Sequence, residues 1–169
     1  MKVLIEKGGF LPARADKGSA GLDLICPTDF IVRAYARVVI PMAFRLELDH
    51  GYEAQIRPRS GCSLKGMPGL FLYDMDTISE MEDERERAMF IASREARFNA
   101  DVELGTVDET YRGIVGVILH NNGIAFGIPR GSRIAQMVIA PVWMGDLGVA
   151  DELSETERGE GGFNSTGTR

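Results

Sequence analysis

Four short stretches of this chain combine residue types that could hold or cleave a phosphate ester. In Leu104-Gly105-Thr106-Val107-Asp108-Glu109-Thr110-Tyr111-Arg112-Gly113, a carboxylate sits in a turn-forming run ahead of an apolar strand. Asp108 is there either as a turn residue that bonds nearby backbone or as a general base taking a proton from an attacking water, a role worth roughly 10²–10⁴-fold. Arg57-Pro58-Arg59-Ser60-Gly61 joins guanidinium, hydroxyl and glycine at the end of a strand. Facing a ligand, it is a phosphate cradle; otherwise it is an ordinary turn. Ser60 as a nucleophile would need an activating His, and neither His50 nor His120 stands in a recognisable relation to it. Arg133-Ile134-Ala135-Gln136 sets Arg133 and Gln136 on a strand of core residues, where polar groups need partners. The run from Arg158 to Gly167 brings glycines, the Ser165 and Thr166 hydroxyls, the flat face of Phe163 and the Arg158 fork together. Glycines let backbone N–H groups approach an anion, and an aromatic face can stack on a base.

Composition narrows the ligands. The 25 acidic and 19 basic residues give a net charge of −6, against general nucleic-acid binding, which needs a basic footprint. A small polyphosphate remains compatible, because a few clustered arginines reverse the local field and Mg²⁺ can accompany the ligand. Cys26 and Cys62 have neither disulfide-framework nor metal-ligand spacing, and they read as packing residues. No signal peptide is read in the first residues. No apolar run approaches the roughly 20 residues of a membrane span, so a cytoplasmic protein with no membrane contact is expected.

At 169 residues, one domain with a sizeable core is expected. Short β-type runs recur at Val3–Ile5, Ile31–Val32, Val38–Ile40, Phe44–Leu48, Tyr52–Ile56, Ile114–Leu119 and Ile134–Val142, with turn signals such as Asn121-Asn122-Gly123 between them. This spacing predicts an all-β sandwich or barrel. Residues 1–150 are expected to form the β domain, and 151–169 a flexible arm. One segment differs. From Asp74 to Phe98 the chain is charged and lacks Gly and Pro. Ser79 and Glu82 read as a capping box, with Met81, Arg85, Ala88, Met89, Ala92 and Ala96 following at helical spacing. A helical excursion is expected there, either as a solvated surface helix or as an element that covers the site or binds a protein partner.

Together and in order, these fragments resemble the trimeric dUTP diphosphatases (dUTPases). Ala20-Gly21-Leu22-Asp23-Leu24 matches the first family motif and Pro58-Arg59-Ser60-Gly61 the second. Gly105 to Gly113 with Gly116 matches the third, Gly131-Ser132-Arg133-Ile134-Ala135-Gln136 the fourth, and Arg158 to Gly167 the fifth. The resemblance implies a jelly-roll-like β-barrel, hydrolysis of dUTP to dUMP and pyrophosphate, Mg²⁺ carried by the substrate phosphates and waters, and a homotrimer whose arm reaches a neighbour's pocket. By the same resemblance, Asp108 would activate water for attack on the α-phosphorus. Tyr111 would pack on the deoxyribose and leave no room for a 2′-hydroxyl. Backbone around Gly105 and Gly116 would read the uracil edge. Arg59, Ser60, Gly61 and Gln136 would hold the phosphates, and Arg158, Ser165 and Thr166 would close on them while Phe163 stacks on the base.

The chain departs from the family pattern at Thr110 and Ser132, where acids are usual, at Asn164 in place of glycine, and at Cys62 in place of leucine. The first two put arginine-orienting contacts in question. The 74–98 segment is the largest departure. Two other functions compete. A dCTP deaminase-like enzyme would share the fold but needs a proton-shuttling Glu where this chain has Ile118. A regulatory or binding protein would act through the 74–98 segment, but the full motif set points to an enzyme.

Overall fold

Tyr52-Glu53-Ala54-Gln55-Ile56 alternates polar and apolar, and the strand it forms organises the molecule. In the computed structural model, which describes residues 1–160, this strand (β6, Tyr52–Arg57) buries Ala54 and Ile56 and turns Glu53 and Gln55 the other way. It pairs on one side with β10 (Gly105–Val107) and on the other with β13 (Arg133–Pro141), which pairs in turn with β2 (Leu22–Ile25). A second sheet has β11 (Gly116–Asn121) between β4 (Arg37–Pro41) and β9 (Ala100–Val102). Three antiparallel ribbons complete the β structure. They pair β1 (Lys2–Ile5) with β5 (Phe44–Glu47), β3 (Phe30–Val32) with β12 (Phe126–Ile128), and β7 (Met67–Gly69) with β8 (Ala96–Phe98).

One apolar cluster joins these layers. Leu24, Ile40, Phe44, Ile56, Leu119, Phe126 and Ile134 are all almost fully buried in it. Each such side chain contributes roughly 1.5–3 kcal/mol on removal from water. The all-β expectation holds. The barrel does not close among the described residues, where the strands divide into five hydrogen-bonded sheets. Apart from the nine-residue β13, the strands run three to six residues, and with a register shift between Arg133 and Ala135 of β13 they offer too little continuous edge for one ring. The polar Asn121 is wholly buried because its amide donates to the Arg33 and Ile124 carbonyls and accepts from the Gly123 N–H.

The charged segment is helical, but not as one helix. It forms α2 (Leu72–Ser79) and α3 (Glu84–Arg94), following the short α1 (Ser60–Lys65), and its last residues, Ala96–Phe98, are the strand β8. The Ser79–Glu82 capping box is not formed. Ser79 ends α2, with its Oγ on the Asp76 carbonyl, and Asp83 caps α3 by accepting from the Arg85 and Glu86 N–H groups at 2.9 and 2.8 Å. That break resets the helical phase. Met89, placed on the apolar stripe by spacing, is 74% exposed, while Phe90 and Ile91 pack on Leu70, Met75 and Ile78. Larger side chains outweigh the alanines on the other face. Arg87 ties α3 to Asp29, before β3.

Replacing Asp83 by Ala should destabilise α3 by about 1 kcal/mol, read as several-fold faster amide exchange at Arg87–Ile91. Ser79→Ala should leave that exchange unchanged. Equal effects from the two variants would contradict the Asp83 cap.

Candidate active site

The first half of the site forms where β6 ends. Beyond Arg57 the chain passes through Pro58 and Arg59 and turns into α1, which Ser60 and Gly61 open. A helix's first turn leaves backbone N–H groups without intrahelical acceptors. On the adjacent β13, Gln136 stands opposite both Arg57 and Asp23, and its Nε2 donates to the Pro58 carbonyl at 2.9 Å. A Cβ on Gly21 would lie 2.2 Å from the Gln136 Oε1, so the glycine makes room for that side chain. The half-buried Asp23 accepts from Arg59 Nε at 2.9 Å through one oxygen and from Arg133 Nη1 at 3.3 Å through the other. Arg59, Ser60, Gly61, Gln136, Gly21 and Asp23 are among the residues lining a cavity of about 340 Å³. An oriented guanidinium, a hydroxyl and open N–H groups suit an anion. Asp23 orients Arg59 in place of any acid at position 132. Its charged side chain within the first motif was the signal for this role.

The second half lies on the connection that leads from β10 in the first sheet to β11 in the second. Tyr111 N–H donates to the Asp108 carbonyl at 3.1 Å, closing a tight turn, and the Tyr111 hydroxyl donates to the Ile114 carbonyl at 3.1 Å. Gly113 leaves room for the ring in this position, since a Cβ there would meet the hydroxyl oxygen at 2.1 Å. Gly105, Asp108, Tyr111 and Gly116 share a cavity of about 260 Å³ whose apolar walls include Val39, Ile56 and Ile118. Flat apolar walls with backbone edges suit a planar heterocycle. Asp108 is exposed at its border.

Two arginines near this turn are also held without an acid at position 110. Arg112 Nη1 donates to the Glu109 and Tyr111 carbonyls at 2.5 and 2.9 Å, and Arg45 bridges Glu6 and the Arg112 carbonyl. Glu109 draws its own turn toward the β5–β6 connection. Its Oε2 accepts from the Gly51 N–H at 2.7 Å, and its Oε1 lies 3.0 Å from His50 Nδ1. The Gly51 N–H and then His50 hold its carboxyl below the ordinary value of 4.5.

Thus the turn residues and the cradle residues each converge, but on different cavities. Arg158 lies in the turn 157–160 of the exposed segment after β13, and Phe163, Ser165 and Thr166 fall outside the described residues. No residue of α2 or α3 lines either cavity. Burial pushes the Cys62 thiol up and the Cys26 thiol up to about 11, so both are protonated packing groups at neutral pH. Among the described residues, no helix is long and apolar enough to cross a membrane.

An all-β domain with an anion pocket and an apolar cleft beside a carboxylate has the marks of a nucleotide-handling enzyme. The family model for dUTPase matches residues 9–81 and, overlapping them, 73–167. The deoxyuridine 5′-triphosphate nucleotidohydrolase of Roseobacter denitrificans is 40% identical over 161 residues, covering 93% of this chain and 86% of that protein. Its counterpart from a Hydrogenobaculum species is 38% identical over 174 aligned positions, covering 100% of both. The chain belongs to the dUTPase family. A dUTPase of Staphylococcus bacteriophage 80alpha, solved with dUpNHpp, superposes with a TM-score of 0.74 at 23% identity, covering 98% of this chain and 97% of that one. The fold is the jelly-roll-like fold of that family.

Because its folded-state value is lowered, Glu109 is fully ionised well above pH 4.5, and the charge-assisted part of its bonds is lost as pH falls through the depressed value. A carboxyl NMR titration should place its midpoint below 4.5, with His50→Ala moving it only part of the way back. A midpoint at or above 4.5 would contradict the Gly51 contact.

Proposed function

We propose that this protein hydrolyses dUTP to dUMP and pyrophosphate. The observation that carries this reading is the Asp108–Tyr111 turn bordering an apolar cleft with the Gly105 and Gly116 backbone at its edges, in a chain of this family. Asp108 takes a proton from water as the water oxygen bonds to the α-phosphorus. The bond from that phosphorus to the bridging oxygen breaks, and pyrophosphate leaves with the electron pair. Tyr111 packs on the deoxyribose, and its ring occupies the space a 2′-hydroxyl would need. The Gly105 and Gly116 backbone pairs with the uracil edge, which disfavours a mismatched base because the pocket's own polar groups would go unpaired. Ile118 in the wall offers no proton for deamination.

Arg59, Ser60, Gly61 and Gln136 hold the phosphates, but not those of a nucleotide in the same chain's cleft. Val107 pairs with Ala54, so Asp108 follows at the level of Glu53, whereas Arg59 lies past the other end of β6. The stretch from Glu53 to Arg59 spans roughly 20 Å at about 3.3 Å per residue. That exceeds the distance between the phosphorus atoms of one triphosphate. A symmetric oligomer, which we take to be a homotrimer, brings one subunit's cradle to its neighbour's turn. The segment from 151 onward acts as an arm, with Arg158, Ser165 and Thr166 closing on the phosphates and Phe163 stacking on the base.

Mg²⁺ accompanies the triphosphate. The described residues gather no group of three or more His, Cys, Asp or Glu to cage it, and Asp23 in the phosphate pocket is already bonded to two arginines. When bound, the ion neutralises phosphate charge.

A panel of dUTP, UTP, dTTP and dCTP with pyrophosphate detection should show turnover of dUTP alone. Equal cleavage of UTP or dTTP would overturn the assignment. Asp108→Asn should abolish turnover while keeping nucleotide affinity. Arg59→Ala should also be nearly inactive, and co-refolding the two variants in equal amounts should restore roughly a quarter of the wild-type sites by random assortment. No recovery would argue for a site within one chain.

A further inference from the structure

Among the described residues, nothing donates a hydrogen bond to the Asp108 side chain, although Tyr111 holds its backbone carbonyl. The direction of this carboxylate is therefore set by the backbone of its turn. One side chain next to it reaches out of the turn to another element. Glu109 accepts from the Gly51 N–H at 2.7 Å and lies 3.0 Å from His50 Nδ1, both on the connection between β5 and β6. Gly51 is itself tied down, since its carbonyl accepts from the Val142 N–H at 2.8 Å where the chain leaves β13. Beside this tie there is room to move. Tyr52, Glu53, Asp108, Glu109, Thr110 and Met144 border a cavity of about 240 Å³ into which a released turn can relax.

We propose that Glu109 is a positioning residue for hydrolysis, its carboxylate clamped on the Gly51 N–H and His50 so that the turn aims Asp108 at the water. The inference rests on Asp108 being the base. It concerns direction more than stability, because a bond of a charged group still partly in water contributes little to folding. It concerns geometry, since a displacement of about 1 Å in a reacting group costs on the order of 10²-fold in rate. Reach and hydrogen-bond acceptance at position 109 are what the clamp needs. Charge is secondary, because a neutral amide oxygen also accepts from the Gly51 N–H.

Two near-isosteric variants separate reach from charge. Glu109→Asp keeps the charge but is one methylene too short for the Gly51 N–H, and Glu109→Gln keeps the reach without the charge. In steady-state hydrolysis of dUTP by the full chain with Mg²⁺, Glu109→Asp should lower kcat about 10–100-fold with KM within about twofold. Glu109→Gln should recover most of that loss. A melting curve on each variant checks that it is folded. Wild-type kcat in Glu109→Asp, a loss confined to KM, or Glu109→Gln as slow as Glu109→Asp would each overturn the proposal. Asp108→Asn measured alongside distinguishes the two possible failures. If Asp108→Asn turns over like wild type, the base assignment falls and the inference with it. If Asp108→Asn is inert and Glu109→Asp is not slowed, only the positioning role falls.

Discussion

The pairing of β6 with strands on both of its sides governs the rest of the molecule. With Ala54 and Ile56 buried between the sheets and the register against β10 and β13 fixed, a one-residue slip would turn both into solvent and bring Gln55 inside. The two halves of the site hang from the two ends of this strand. The cradle begins where β6 stops, and the Asp108 turn begins where β10 leaves its other end. The strand that makes each half rigid also holds them apart. Under the proposed function, this separation is what assigns the two halves of one nucleotide's site to different subunits.

Side-chain bonds around each half act on direction more than on stability. Asp23 grips Arg59 and Arg133, Arg45 reaches the Arg112 carbonyl, and Glu109 grips the β5–β6 connection. Most of these groups are partly in water, where an ion pair contributes about 0–1 kcal/mol. A guanidinium held through its Nε, as in Arg59, keeps a fixed plane toward an incoming anion. The acids that the family usually carries at positions 110 and 132 are absent, and Asp23 on β2, Glu6 just after β1 and carbonyls of the Asp108 turn itself hold the arginines.

The helical segment has its own small apolar cluster under Leu70, Met75 and Ile78, anchored to the β body through the Arg87–Asp29 pair. It packs beside β12 and borders neither cavity of its own chain. Its packing follows bulk more than periodicity. Phe90 and Ile91 face inward while Met89 and the alanines do not, because the Asp83 cap, and not Ser79, sets the phase of α3.

Much was legible in the residues themselves. Alternation over 44–48 and 52–56 marked strands, the charged stretch without Gly or Pro marked helix, and ordered motifs pointed to Asp108, Arg59, Ser60, Gly61, Tyr111 and Gln136. These are local signals, carried by side-chain type and spacing. Strands such as Met67–Gly69, Ala96–Phe98 and Gly105–Val107 escaped that reading, since three residues are too few to show a period and their pairing comes from distant chain. The separation of cradle from cleft, the Asp23 grip on Arg59 and the bond from Gly51 to Glu109 join residues far apart in sequence. Only tertiary structure decides such contacts, because register along β6 and β13, and not spacing along the chain, determines which side chains come within reach of one another.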